Sequence, residues 1–141
     1  MRFESGETQP DGQGIGHGDI DGFGNAVANN LKGNSGDNRL EGGGGMDYFK
    51  SGKGDDVLVG GTESDLFYFA KHHDDDTIID FQTGLDVIKL VDWIPAQGFD
   101  DIMAYTSNVR GNAVISFEDS SLTLLGVLKS ELSATDFVFV A

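Results

Sequence analysis

Oxygen-bearing side chains recur at a fixed interval through the middle of this chain: Asn29, Asn38, Asp47, Asp56 and Asp65 stand nine residues apart. Two residues after each comes an apolar side chain, in turn Leu31, Leu40, Phe49, Leu58 and Phe67. Reading in nines from Gly24 gives GNAVANNLK, GNSGDNRLE, GGGGMDYFK, SGKGDDVLV and GGTESDLFY, without a gap. Glycine admits φ > 0 and lets the backbone turn its carbonyl oxygens toward one point, and an aspartate closing the turn adds a carboxylate. Six to eight hard oxygens at about 2.3–2.6 Å in a flexible cage suit Ca²⁺ better than the smaller, octahedral Mg²⁺. Calcium is the indicated metal.

Other chemistries find less support. His17, His72 and His73 form no HExxH zinc motif. His72 and His73 sit beside Asp74, Asp75 and Asp76, a composition that suits zinc, but adjacent residues of a strand or turn point different ways. No GxSxG elbow accompanies the serines. Paired carboxylates such as Asp55 and Asp56 suit a glycosidase, yet metal ligation already accounts for them. Trp93 reads as a cap residue rather than a platform for a sugar. The chain is read as no enzyme in itself.

These oxygens need elements to position them. A period of nine matches neither a helix nor a long strand, and a glycine at the front of most units costs a helix about 1 kcal/mol each. Turn and short strand must alternate: six residues of turn, then three of strand whose middle side chain points inward. FAKHHDDDTII continues the pattern with two residues inserted, placing Asp76 at the sixth position and Ile78 at the eighth. One unit cannot bury its apolar face alone, so such repeats need at least about three copies. Farther on, TIIDFQTGLDVIKLVDWI reads as a pair of strands about a turn at Thr83-Gly84. NAVISFEDSSLTLLGV reads as a hairpin turning near Asp119 and Ser120, with Val114, Ile115, Phe117, Leu122 and Leu124 on its buried side. A solenoid end exposes unpaired backbone, which a nonrepetitive cap covers.

Composition fits one such module. The 141 residues carry a net charge of −15, which repels nucleic acid phosphates and anionic lipid surfaces and calls for a cation. There are 21 glycines and no cysteine, which excludes disulfides and thiol chemistry. A disordered acidic linker would not keep five apolar residues in phase with five Asn or Asp. MRFESGETQPDGQG contains no apolar signal core, and no stretch has the roughly 18 apolar residues that span a bilayer. Opening without a start of structure, the chain reads as the tail of a longer polypeptide.

The units resemble the RTX nonapeptide GGxGxDxUx, GGGGMDYFK and SGKGDDVLV most closely. The resemblance implies an all-β fold: a right-handed parallel β-roll over 24–79, with a C-terminal antiparallel β cap over 80–141 and a linker or degenerate first turns over 1–23. It also implies that each ion lies between one unit and the next but one. One ion would take carbonyls of Gly33, Ser35, Gly52 and Gly54 with Asp37 and Asp56. A second on that edge would use Asp55 with Asp76, or with Asp74. The opposite edge would draw on Gly42, Gly43, Gly44, Gly45 and Gly61 with Asp47 and Asp65, more weakly, because Ala28 and Met46 hold the fifth position. Asn29 and Asn38 contribute no charge, and the first unit reads as a half-formed turn without an ion.

DFQTGLDVIKL and LTLLGVLKSELSATDFVFVA further resemble the C-terminal region of serralysin-type metalloproteases and other type I secreted RTX proteins. That resemblance implies a secreted bacterial module which folds on Ca²⁺ after leaving the cell and stabilises an attached domain. Asp136-Phe137-Val138-Phe139-Val140 then doubles as an export signal, read by a type I secretion apparatus, and as a last strand of the cap. A second reading is a polysaccharide-binding accessory module, as in RTX-type alginate-modifying enzymes; net charge argues against its holding polyanions.

Overall fold

The structure is a computed structural model that describes residues 2–3, 21–93 and 98–140. Most of the stretch read as a linker or degenerate turns, residues 1–23, lies outside them. The strands run in order β1 (Arg2–Phe3), β2 (Asp21–Phe23), β3 (Asn30–Lys32), β4 (Arg39–Glu41), β5 (Tyr48–Lys50), β6 (Val57–Val59), β7 (Leu66–Ala70), β8 (Asp75–Ile78) and β9 (Val87–Val91). A short helix α1 (Phe99–Ala104), absent from the all-β expectation, precedes β10 (Thr106–Val109), β11 (Asn112–Phe117), β12 (Ser120–Leu124) and β13 (Phe137–Val140).

Successive repeat strands alternate between two sheets. One sheet has the order β1-β2-β4-β6-β8-β12-β11-β10 and the other β13-β9-β7-β5-β3. Each repeat strand therefore pairs, in parallel, with the unit next but one: Leu31 with Phe49, Leu40 with Leu58, and Phe49 with Phe67. This is the parallel β-roll that the nonapeptide implies. The two-residue insertion is absorbed in the turn, so that Leu58 pairs with Ile78.

The strands are short because glycine turns interrupt them, and each buries its middle side chain. Leu31, Leu40, Phe49, Leu58 and Phe67 are all essentially without solvent exposure, and the Phe49 and Phe67 rings stack with centroids 4.8 Å apart. One buried apolar side chain contributes about 2–3 kcal/mol, too little to order nine residues by itself. The stack needs a further source of stability.

The two strands read from TIIDFQTGLDVIKL form, but they go to opposite sheets. β8 joins β6, while β9 joins β7 with Phe67 opposite Ile88, so the stack continues past Ile79 by another turn. β12 then adds to β8 in parallel and leads an antiparallel hairpin with β11, while β13 adds to β9 in parallel. Within that hairpin Ala113 and Ile115 are buried and Val114 is not, which corrects the buried set expected for it. Val114 and Ile115 are neighbours on one strand and must face opposite ways. Trp93 is core, 2% exposed, with its indole N–H donating to the Phe117 carbonyl. Among the described residues no helix is long and apolar enough to cross a membrane.

Candidate metal centre

The sixth-position side chains form two ladders, one along each edge of the roll. On the first edge the Asn38 backbone N–H donates to Asp56 at 2.7 Å, and the Asp56 N–H donates to Asp76 at 2.8 Å. On the second, Asn29 N–H donates to Asp47, Asp47 N–H to Asp65, and Asp65 N–H to Asp86, all at 2.8–2.9 Å. One oxygen of each carboxylate is thus committed to the turn next but one before it.

The second oxygens differ. Those of Asp47, Asp56 and Asp65 are buried and, among the described residues, have no hydrogen-bond partner, and the same holds for the hydroxyl of Ser51. An unpartnered buried carboxylate oxygen is costly. Burial pushes Asp47 up to about 6 and Asp65 up to about 7. Burial, with the Asp76 carboxylate beside it, holds Asp56 well above the ordinary carboxylate range. Asp76 is raised as well, by burial first and then by the charges of Asp55 and Asp74. Backbone N–H donors to one oxygen of each carboxylate offset this only in part.

The turns give these oxygens a backbone setting. Gly43 and Gly45, and Gly52 and Gly54, hold the second and fourth positions with φ of +85° to +93°. At Gly54 a side chain would also strike the Gly36 carbonyl oxygen, so glycine is required there twice over. The later turns keep this alternation without the glycines: Gly61 is followed by Glu63 at φ 69°, and the next turn uses His72 at 61° and Asp74 at 71°. Such values are uncommon for residues with a Cβ.

The residues expected on the first edge lie together. Asp37 accepts from the Asp55 N–H at 2.8 Å, and Asp55 from the Asp75 N–H at 3.0 Å. Gly33, Ser35, Gly52 and Gly54 belong to the two turns that the Asn38–Asp56 bond joins. The ladder puts Asp76 at the sixth position and Asp74 at the fourth, where its carboxylate accepts from the Gly54 N–H at 2.8 Å. On the second edge, Gly42, Gly43, Gly44 and Gly45 share a turn whose Gly43 carbonyl accepts from the Thr62 N–H, beside Gly61. Met46, at the fifth position, is 66% exposed, and its side chain offers no oxygen. Among the described residues no three His, Asp or Glu side chains gather into a metal cluster, so a cation would draw most of its ligands from carbonyls.

Sequence reasoning missed four residues. Glu63 caps the Gly45 N–H at 2.5 Å, as Asp74 caps Gly54; both are fourth-position acids, which was the available signal. Asp86 stands at the sixth position of a further turn, preceding Val87-Ile88, and its two oxygens accept from Asp65 and Gln82. Asp80 accepts from both Gly60 and Gly61. His73 lies 2.7 Å from the second oxygen of Asp76, both nearly fully buried. That distance would suit an ion pair, but burial lowers His73 to about 4 while Asp76 is raised, so the two share one proton as a neutral pair. His72 turns instead to Asp119 at 2.9 Å, so the two histidines do not converge on zinc.

The first two turns close differently again. Asn29 accepts from the Asn25 N–H and Asn38 from the Asn34 N–H, while the Asn34 side chain accepts from Gly36 and from the Asn38 amide. An amide does there, within one turn, what the later carboxylates leave undone.

Two-strand-offset pairing, alternating φ > 0 turns and in-phase carboxylates agree with a family match: residues 23–58 and 32–67 match the RTX calcium-binding nonapeptide repeat, in four copies. Residues 23–67 carry repeats of the RTX type, and the cation such repeats bind is calcium. No curated protein sequence matches it. Among solved structures, this chain is similar to the extracellular lipase LipA from Serratia marcescens, with TM-score 0.61 and 23% identity over 82% of this chain and 20% of the lipase. It is also similar to the AlgE6R3 subunit of the mannuronan C5-epimerase from Azotobacter vinelandii, with TM-score 0.63 and 24% identity over 94% of this chain and 83% of that one. At these identities the likeness is one of fold. The chain spans about a fifth of the lipase.

Proposed function

We propose that this RTX module folds when calcium binds, outside a bacterial cell after type I export, and there stabilises or displays an attached domain. The observation that carries the reading is the trio of buried, unpartnered oxygens on Asp47, Asp56 and Asp65. Calcium would supply positive charge at these carboxylates and a common centre for the turn carbonyls. The ligands of one ion would be Gly33, Ser35, Asp37, Gly52, Gly54 and Asp56, with Asp55, Asp74 and Asp76 serving the next turn on that edge. Gly42, Gly43, Gly44, Gly45, Asp47, Gly61 and Asp65 would serve the other edge.

In the chain's own terms, the Asp ladders align the turns, glycine frees the backbone to point its carbonyls inward, and the stacked Leu and Phe column holds the register. Without a cation the carboxylates repel and the glycine turns are entropically expensive to order. At the low free calcium of a cytosol the chain would stay open and exportable; ligand binding to the native state alone then drives folding outside. The role is one of binding rather than catalysis.

Far-UV circular dichroism during a calcium titration, with magnesium as control, tests this directly, and calorimetry counts the ions. A cooperative gain of β signal with calcium alone is expected. A chain fully folded in chelator and indifferent to calcium would overturn the reading.

A further inference from the structure

The fifth positions of the repeat divide the two edges of the roll. On the first edge they hold Asp37, Asp55 and Asp75, and each carries a hydrogen bond along the stack. Asp37 accepts from the Asp55 N–H at 2.8 Å, Asp55 from the Asp75 N–H at 3.0 Å, and Asp75 from the Ser121 hydroxyl at 2.8 Å. On the second edge the same position holds Ala28, Met46, Ser64 and Leu85. Ser64 reaches forward, its hydroxyl donating to the Leu85 carbonyl at 2.5 Å. Met46 precedes Ser64 by the same eighteen residues that separate Asp37 from Asp55, but its side chain has no oxygen for the Ser64 N–H. One rung is missing. It lies beside Asp47, whose second carboxylate oxygen is buried and has no hydrogen-bond partner among the described residues.

Of the three apolar residues at these positions, only methionine can gain an oxygen under mild conditions. Its thioether sulfur is polarizable and takes up oxygen from a peroxide, whereas the hydrocarbon side chains of Ala28 and Leu85 do not react. Met46 is placed for that reaction: it is 66% exposed and, with Tyr48, Ser64, Leu66 and Val87, lines a depression of about 280 Å³. Met103, the other methionine among the described residues, packs against the core. A sulfoxide oxygen stands as many bonds from Cα as a glutamate oxygen does. Glu63, on the turn that carries Ser64, spans the gap to the Gly45 N–H with that reach, at 2.5 Å.

We infer that Met46 is an oxidation site whose sulfoxide supplies the missing rung of the second edge and tightens the hold of that edge on calcium. The inference rests on the calcium-folded roll proposed above. In the step, the Met46 sulfur attacks one oxygen of hydrogen peroxide; the O–O bond breaks and an S–O bond forms. The sulfur gives up two electrons, and the proton on the transferred oxygen passes to the departing one, which leaves as water. The new oxygen accepts from the Ser64 N–H, as Asp37 accepts from Asp55, and so fixes the turn of Asp65 against that of Asp47. A sulfoxide is polar but neutral. It adds an acceptor to an edge already crowded with carboxylates without adding another negative charge.

The experiment treats the whole calcium-loaded chain with dilute hydrogen peroxide and locates the added oxygen by peptide mass spectrometry. Met46 should be oxidised well before Met103. Circular dichroism under a calcium titration then compares the parent with the oxidised chain. The midpoint should fall about threefold, as one ordinary hydrogen bond made in the folded form would produce, and methionine sulfoxide reductases should restore it. Met46→Gln, with a neutral oxygen at the same reach, should show the lower midpoint without peroxide. Met46→Leu should keep the parental midpoint before and after treatment. The Ser64 amide proton should shift downfield in the oxidised parent and in Met46→Gln, but not in Met46→Leu. A midpoint that is unchanged or raised by oxidation overturns the inference. So does a fall that persists in Met46→Leu, or oxidation of Met103 ahead of Met46. A parent chain indifferent to calcium sinks the calcium reading and this one together, whereas a responsive parent with an indifferent Met46 sinks this one alone.

Discussion

Asp56 accepts the backbone N–H of Asn38 with one carboxylate oxygen, 2.7 Å away, and buries the other without a hydrogen-bond partner among the described residues. The two residues are eighteen apart in sequence and adjacent in the ladder, so one side chain both sets the register of the roll and leaves a charge for something else to satisfy. Asp56→Asn separates those roles. The amide oxygen keeps the bond to Asn38, while the charge beside Asp76 disappears. In chelator the variant should be no less ordered than the parent; its calcium midpoint should rise about tenfold, equivalent to about 1.4 kcal/mol. Circular dichroism under a calcium titration reads both, and an unchanged midpoint would show that Asp56 faces no cation.

Proton uptake should partly substitute for metal. Asp47 at about 6 and Asp65 at about 7, with Asp56 and Asp76 also raised, all stand above their ordinary 3.8. The folded form therefore holds more protons than the unfolded one. Stability from these groups is complete below the unfolded value and is lost as pH rises through the folded values. His73, lowered to about 4, acts in the opposite sense between 6.5 and 4, but it is one group against four. Metal-free chain should gain β signal as the pH is lowered from 8 toward 6, whereas the calcium-loaded chain should change little. Calorimetry at pH 7 in two buffers of different ionisation enthalpy should also detect protons released on calcium binding.

The amide-closed turns should respond otherwise. Asn34 accepts from Gly36 N–H and from the Asn38 amide, both at 2.9 Å, in a buried position. Asn34→Ala leaves those donors unpaired and should lower the stability of the calcium-loaded chain by about 1–3 kcal/mol. The number of ions counted by calorimetry should not change, since no unpartnered oxygen belongs to that side chain. Thermal unfolding and stoichiometry, measured together, distinguish it from Asp56→Asn.

Much of this arrangement is legible in the sequence. The nine-residue period is visible in the phase of Leu31, Leu40, Phe49, Leu58 and Phe67, and stacking on the unit next but one is what the resemblance to the RTX nonapeptide implies. The insertion before Asp76 was visible for the same reason. Less visible was the turn ending at Asp86, whose glycines are reduced to Gly84 and whose offset from Asp65 is 21 residues rather than 18. Period alone cannot follow a stack whose turns lengthen. Side-chain closure by His73, Asn29 and Asn34 was also hidden, since a ladder position states what residue is present but not whether a neighbour reaches it first.

Phe137–Val140 carries two expectations, export signal and closing strand, and the exposure of its side chains allows them to be tested apart. Phe137 is buried and β13 pairs with β9, while Asp136, fully buried, accepts from the N–H groups of Gly84 and Ser133 at 2.8 and 2.7 Å. Asp136→Ala should therefore cost about 2–3 kcal/mol, and a secretion defect in it would be ambiguous. Val138 and Val140 are 45% and 41% exposed and lie on the outer side of the strand. Replacing both with Ser should leave thermal stability in calcium within about 0.5 kcal/mol per site. If these valines are read by a type I apparatus, the same double variant should be exported less by cells carrying one. Normal export of a normally stable double variant would assign the segment to the fold alone.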